Sequence, residues 1–215
     1  MFISNKEPFN SLGQLWIQCM RDILSHGNAN HDENDVILEL TNYYAEILSV
    51  DETDHILTTY ANQKRIAHMK KKYSSCDVLP DYKISYGKLL YDNNGINQIE
   101  WIVNRLKMKI ESKSATISMH IAGDSELSCL SLLDFKCRDE YLNMNVVYRS
   151  QNVFSSQPGN LISLRQIQSY VAKELNKKVG SIELIVFSAH IYENDLDMAE
   201  KIVKQYDTYC DGEII

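Results

Sequence analysis

The sequence predicts an α/β fold on three observations. Apolar residues recur at helical spacing in several stretches. Short runs rich in β-branched and aromatic residues lie between them. The two patterns interleave along all 215 residues instead of separating into halves, which favours one layered domain over residues 1–215.

Residues 11–26 carry Leu12, Leu15, Trp16, Cys19 and Ile23 at helical spacing. The polar stretch GNANHDEND that follows is expected to be a loop, and residues 36–48, with Tyr43 and Tyr44, a strand. Residues 55–72 read as one helix, whose closing run Lys70, Lys71 and Lys72 is expected to be a solvated helix end. Residues 96–110 form a helix through Ile96, Ile99, Val103, Leu106 and Ile110, with Trp101 as core or dimer contact. Residue ranges 115–121, 130–138 and 141–148 are strands, 161–175 is a buried helix, 181–192 is a strand buried on both faces, and 194–206 is an amphipathic helix. Met69, Met108, Met119 and Met144 are read as packing residues and His120 as structural.

With 44% hydrophobic and 24% charged residues the composition is that of a globular chain. A net charge of −7 argues against nonspecific nucleic-acid binding, yet one local arginine can still hold a phosphate. The cysteines Cys19, Cys76, Cys129, Cys137 and Cys210 form no CxxC pair, so no metal is expected. Unpaired thiols without a signal peptide suggest a reducing, cytoplasmic compartment. Apolar stretches are too short to span a bilayer, so no membrane partner is expected.

The chemistry centres on the strands either side of Asp139. For a hairpin centred there, facing positions sum to 278, which sets Cys129 opposite Arg149. A guanidinium beside a thiol favours the nucleophilic thiolate. Cys137, eight residues further along, would lie about 27 Å away at the usual rise per residue, beyond disulfide reach.

Arg149-Ser150 follows Cys129 by twenty residues. Pro158-Gly159-Asn160 then opens a helix, and His190-Ile191-Tyr192 closes a strand. Tyr86-Gly87 precedes the helix at 96–110. In this order and spacing the chain resembles the thymidylate synthases and related pyrimidine-nucleotide hydroxymethylases, most clearly over residues 84–205.

The resemblance implies a mixed twisted sheet backed by helices, in a homodimer packed sheet to sheet. It implies methyl or hydroxymethyl transfer to C5 of a uracil-type nucleotide, with Cys129 adding to C6 and 5,10-methylenetetrahydrofolate as one-carbon donor. Arg149 and Ser150 would hold the phosphate, Asn160 the base, and His190 and Tyr192 the sugar hydroxyl. Tyr86 would line the substrate site, Lys113 would reach the partner subunit's phosphate, and Asn152 would face the cofactor.

Several positions depart from that pattern. Leu130 replaces the histidine that usually follows the cysteine. His68, Met69 and Lys70 stand near the place of the general-base glutamate, and none is a carboxylate. Asp32, Glu33 and Asp35 occupy a loop that normally supplies a phosphate arginine, and Asn152 replaces an aspartate. The end at Ile215 leads to the expectation that the family's closing tail is missing. A diverged transferase, a folate-independent transferase and a noncatalytic nucleotide-binding or scaffold module remain open at this point.

Overall fold

The computed structural model describes residues 3–4, 7–32, 35–80, 83–120, 123 and 126–212. In chain order the strands are β1 (Ile3–Ser4), β2 (Asn28–Asp32), β3 (Asp35–Ile47), β4 (Thr116–Ser118), β5 (Leu130–Arg138), β6 (Tyr141–Tyr148), β7 (Gln151–Asn152) and β8 (Lys178–Tyr192). The helices are α1 (Leu12–His26), α2 (His55–Tyr60), α3 (Gln63–Ser74), α4 (Tyr86–Tyr91), α5 (Gln98–Met108), α6 (Gln157–Glu174) and α7 (Glu193–Gly212). The strands build one mixed sheet in the order β1-β3-β8-β6-β5-β4, with β2 added to β3 and β7 to β8. The α/β class holds.

Strand β8 is the axis of this sheet. It runs antiparallel to β3 and parallel to both β6 and β7. The parallel β6–β8 pair needs a crossover, which α6 supplies. Alternate residues Ile182, Leu184 and Val186 turn into the core, where they meet α6. Their neighbours on the other face do not share that cover: Phe187 is 50% exposed. The strand is therefore not buried on both faces, because among the described residues helices cover the sheet on one side only.

Helix α6 begins earlier than its apolar period suggests. Pro158 sits in its first turn, where a missing N–H costs nothing, and every residue from Gln157 to Leu164 is buried. That helix packs against α1, α3 and α5 as well as the sheet, so it is buried most of the way round, polar Gln157, Asn160, Ser163 and Gln168 included. Helix α1, capped by Ser11, buries Leu12, Leu15, Trp16, Cys19 and Ile23 as expected.

Other differences have local causes. The polar stretch Asn28–Asp32 is a strand, because pairing with β3 satisfies its backbone while its side chains stay exposed. The helix expected over 55–72 is two helices. Asn62 leaves the helical conformation to cap α3, its side chain accepting from the Arg65 N–H. Trp101 is 41% exposed on α5 and stacks near Arg105, so it is not core. Met108 lies on the surface at the end of α5, unlike the buried Met69, Met119 and Met144.

The hairpin of β5 and β6 is also shifted. From Leu132 to Arg138 its partners sum to 279, so the turn lies at Asp139–Glu140, with Asp139 in the left-handed region at φ 51°. An irregularity between Leu130 and Leu132 restores the sum to 278 at Leu130 and Tyr148. The Arg149 N–H then bonds the Cys129 carbonyl at 2.9 Å. Cys129 faces Arg149 as expected, although the hairpin centre does not lie where that expectation put it.

One buried bond ties helix layer to sheet edge. The Trp16 indole donates to the Val153 carbonyl at 3.0 Å, and the Val153 N–H donates to the His190 carbonyl at 2.9 Å. Trp16→Phe leaves that carbonyl buried without a donor. It is expected to lower stability by about 1–3 kcal/mol, read as a fall in the urea midpoint with an unchanged slope; an unchanged midpoint would show the bond to be dispensable.

Candidate active site

A cavity of about 460 Å³ opens where β5, β6 and β8 end. Cys129, Arg149, Ser150, Asn160, His190, Tyr192, Tyr86 and Asn152 all line it. Each comes from a strand end, a helix start or the segment just beyond, so the sheet fixes their spacing. Lys113 does not line it. It is an exposed residue before β4, and its carbonyl accepts from Lys136.

Cys129 is half-buried just before β5. The Tyr86 hydroxyl lines the same cavity and accepts from the N–H of the next residue, Leu130, at 3.4 Å. Tyr86 is held there because α4 lies close on the end of α3: Ser85 caps α4 and donates to the Ser75 carbonyl at 2.5 Å. A side chain on Gly87 would meet that same carbonyl at 2.2 Å, so only glycine allows the approach. Burial, and then the neighbouring thiol, push the Tyr86 hydroxyl far above its ordinary range. Beneath lie the hydroxyls of Tyr73 and Tyr148, 2.5 Å apart.

Arg149 reaches back along the strand. Its Nε donates to the Ser128 carbonyl at 3.1 Å and Nη2 to that of Leu127 at 2.9 Å. The guanidinium thus braces the segment that carries Cys129, and Nη1 remains for a ligand among the described residues. At the side of β8, the Tyr192 hydroxyl donates to Asp32 at 2.8 Å, and the His190 ring stands edge-on to Tyr192. Burial lowers the His190 pKa, which keeps the imidazole neutral. Asp32 and Asp35 both line the cavity and pair across β2 and β3, whereas Glu33 lies outside the described residues.

The wall formed by Asn160 and Gln151 is the most telling part. Asn160 is 4% exposed, and its Oδ1 is buried without a hydrogen-bond partner. Gln151, also buried, has its Oε1 bonded to Gln157 while its Nε2 lacks a partner. An unspent acceptor and an unspent donor in one cavity wall are costly unless a ligand uses them. A planar ring with adjacent donor and acceptor atoms meets that need.

Five lining residues were not foreseen as site residues: Arg65, Met69 and Lys72 on α3, and Gln151 and Ser156. Lys72 is the main correction. It is not a solvated helix end but 8% exposed, with Nζ 4.1 Å from the centre of the Tyr86 ring. The signal was present in the sequence: Ile66, Met69 and Tyr73 mark a buried face of α3, and Lys72 lies on it. Burial, together with the charge of Arg65, pushes its pKa down to about 8, against an opposing pull from Cys129. Arg65 reaches Ser156 at 3.4 Å.

His190 titration has a signed consequence. Its folded pKa lies below the unfolded value near 6.5, so the unfolded chain binds more protons in that window. Stability should fall as pH drops from about 7.5 to about 5.5, and His190→Gln should lose less than the parent over the same range. Urea midpoints at the two pH values test this; equal losses would exclude His190 as the source.

The thymidylate synthase family model matches residues 41–210. The chain is 30% identical over 207 residues to a Methanosarcina mazei protein that carries the provisional name thymidylate synthase, covering 90% of this chain and 92% of that one. A Methanothermobacter thermautotrophicus protein of the same provisional name is 32% identical over 141 residues, covering 62% and 64%. The thymidylate synthase of Mycoplasma pneumoniae is 32% identical over 116 residues, covering 52% of this chain and 40% of that one.

Proposed function

The chain belongs to the thymidylate synthase family, and from that premise we propose that it transfers a one-carbon group to C5 of a uracil-type nucleotide through a transient Cys129 adduct. One observation carries this reading: a thiol, a guanidinium, an unspent amide and a neutral imidazole–tyrosine pair, remote in the chain, converge on one cavity. Cys129 adds to C6 and makes C5 nucleophilic, which divides one hard substitution into two easier steps. Asn160 and Gln151 take the ring's donor and acceptor edge. Arg149 and Ser150 take the phosphate by charge-assisted bonds. His190 and Tyr192 meet the sugar.

The family as a whole uses 5,10-methylenetetrahydrofolate. The residues here do not fit its pterin well. Asn152 stands where the family has a carboxylate, and its Oδ1 already accepts from the Ser155 N–H at 3.0 Å. No step is therefore assigned to folate.

Intact-mass analysis after incubation with a 5-fluoropyrimidine nucleotide tests the adduct. The protein is expected to gain the nucleotide mass, and Cys129→Ser to gain nothing. Binding without mass gain in any nucleotide would leave a nucleotide-binding module and remove the transferase reading.

A homodimer completes the proposal. The uncovered face of the sheet presents Phe187 with half-buried Ile185, Val147 and Leu132 around it, an apolar surface suited to a second copy. In this reading Lys113, outside its own cavity, serves the partner's. Sedimentation should give a dimer for the parent chain and a monomer for Phe187→Asp; a monomeric parent would refute the shared site.

A further inference from the structure

Lys72 has no role in the chemistry described so far, yet it is a buried amine in the wall of the cavity that holds the nucleophile. Burying an ammonium is costly, and a surface lysine at the end of α3 would serve packing as well. Its position is set from two sides. Helix α3 brings it inward beside Met69, and the Tyr86 ring of α4 lies under its nitrogen, with Cys129 in the same cavity wall.

Chemistry at C5 needs a group that gives and takes a proton. The other candidates facing this cavity are poorly suited. Arg65 on α3 and Arg149 after β6 do not release protons. Tyr86 on α4 holds its proton far above neutrality, and Tyr73 and Tyr148 bond each other beneath. Asp32 on β2 is engaged by the Tyr192 hydroxyl, and Asp35 sits beside it on β3. His190 on β8 is kept neutral by burial, edge-on to Tyr192.

We propose that Lys72 is the catalytic acid–base residue that carries the proton to and from C5 of the bound pyrimidine. This rests on the Cys129 reading above. As the Cys129 sulfur bonds to C6, the C5–C6 π pair moves to C5 and takes a proton from the Lys72 ammonium. In reverse, the Lys72 amine removes a proton from C5, the pair restores the C5–C6 double bond, and the C6–S bond breaks to release thiolate. Nothing is oxidised or reduced, and no one-carbon donor is needed. The lowered proton affinity of this lysine, about 8, suits exchange in both directions near neutrality.

The test is loss of the C5 proton from uridine or deoxyuridine 5′-monophosphate in D₂O, followed by proton NMR without any one-carbon donor. The parent protein is expected to wash the proton out, and Cys129→Ser to be silent. Lys72→Met and Lys72→Arg are expected to slow exchange by about 100-fold or more, with nucleotide affinity close to the parent's. The arginine variant keeps the charge but cannot release a proton, so it separates proton transfer from electrostatics and serves where the methionine variant fails to fold. Exchange should start from the ammonium, so the parent rate should fall as pH rises through about 8. Exchange at the parent rate in Lys72→Arg overturns the role of Lys72 and leaves Cys129 intact. No exchange by the parent, with the fluoropyrimidine adduct still forming, also overturns it. Absence of both exchange and adduct removes the Cys129 reading and this one with it.

Discussion

The hydrogen bond from the Arg149 N–H to the Cys129 carbonyl is the constraint on which the cavity depends. It is the last rung between the two strands that lead to Cys129 and to the Arg149-Ser150 pair. Without the irregularity at Ser131 the shifted register of β5 and β6 would continue, and Cys129 would face Ser150 instead. Arg149 reinforces the rung with two further bonds from its side chain to the carbonyls of Leu127 and Ser128. This charged residue of the cavity therefore also fixes the backbone around Cys129, so a change at Arg149 acts on both.

Much of this arrangement was legible in the sequence because strand pairing and helix periodicity obey short rules. Cys129 and Arg149 could be placed opposite each other from spacing alone, although two deviations, a turn moved by half a residue and a bulge, cancel at that point. The order of Asn160, His190 and Tyr192 carried the rest of the ring of lining residues. What was not legible depends on contacts between elements. The exposed strand Asn28–Asp32 has no apolar pattern, since its existence comes from pairing with β3. Lys72 was hidden by its type: lysine at a helix end is ordinarily solvated, which outweighed its place on the apolar face of α3 that α4 packs against. Gln151 carried no motif, and its significance lies in an amide nitrogen left without a partner.

The distribution of charge inside the cavity gives the last step. A chain of net charge −7 collects Arg65, Lys72 and Arg149 around one hollow, and sets Asp32 and Asp35 on the β2–β3 side of it. A ligand with one anionic end and one hydroxyl-bearing part matches such a field, since carboxylates accept from hydroxyls and repel phosphate. Tyr192 mediates between these regions. Its hydroxyl donates to Asp32, so its oxygen is left to accept from a sugar hydroxyl, and His190 stays neutral beside it. The acidic loop that looks unsuited to a nucleotide phosphate is thus compatible with a nucleotide whose phosphate lies on Arg149 and whose sugar lies between Tyr192 and His190. On this view the acidic substitutions do not abolish the site. They restrict how the ligand can lie in it, with the sugar held at the acidic side and the ring's C5 and C6 turned towards Cys129 and Lys72.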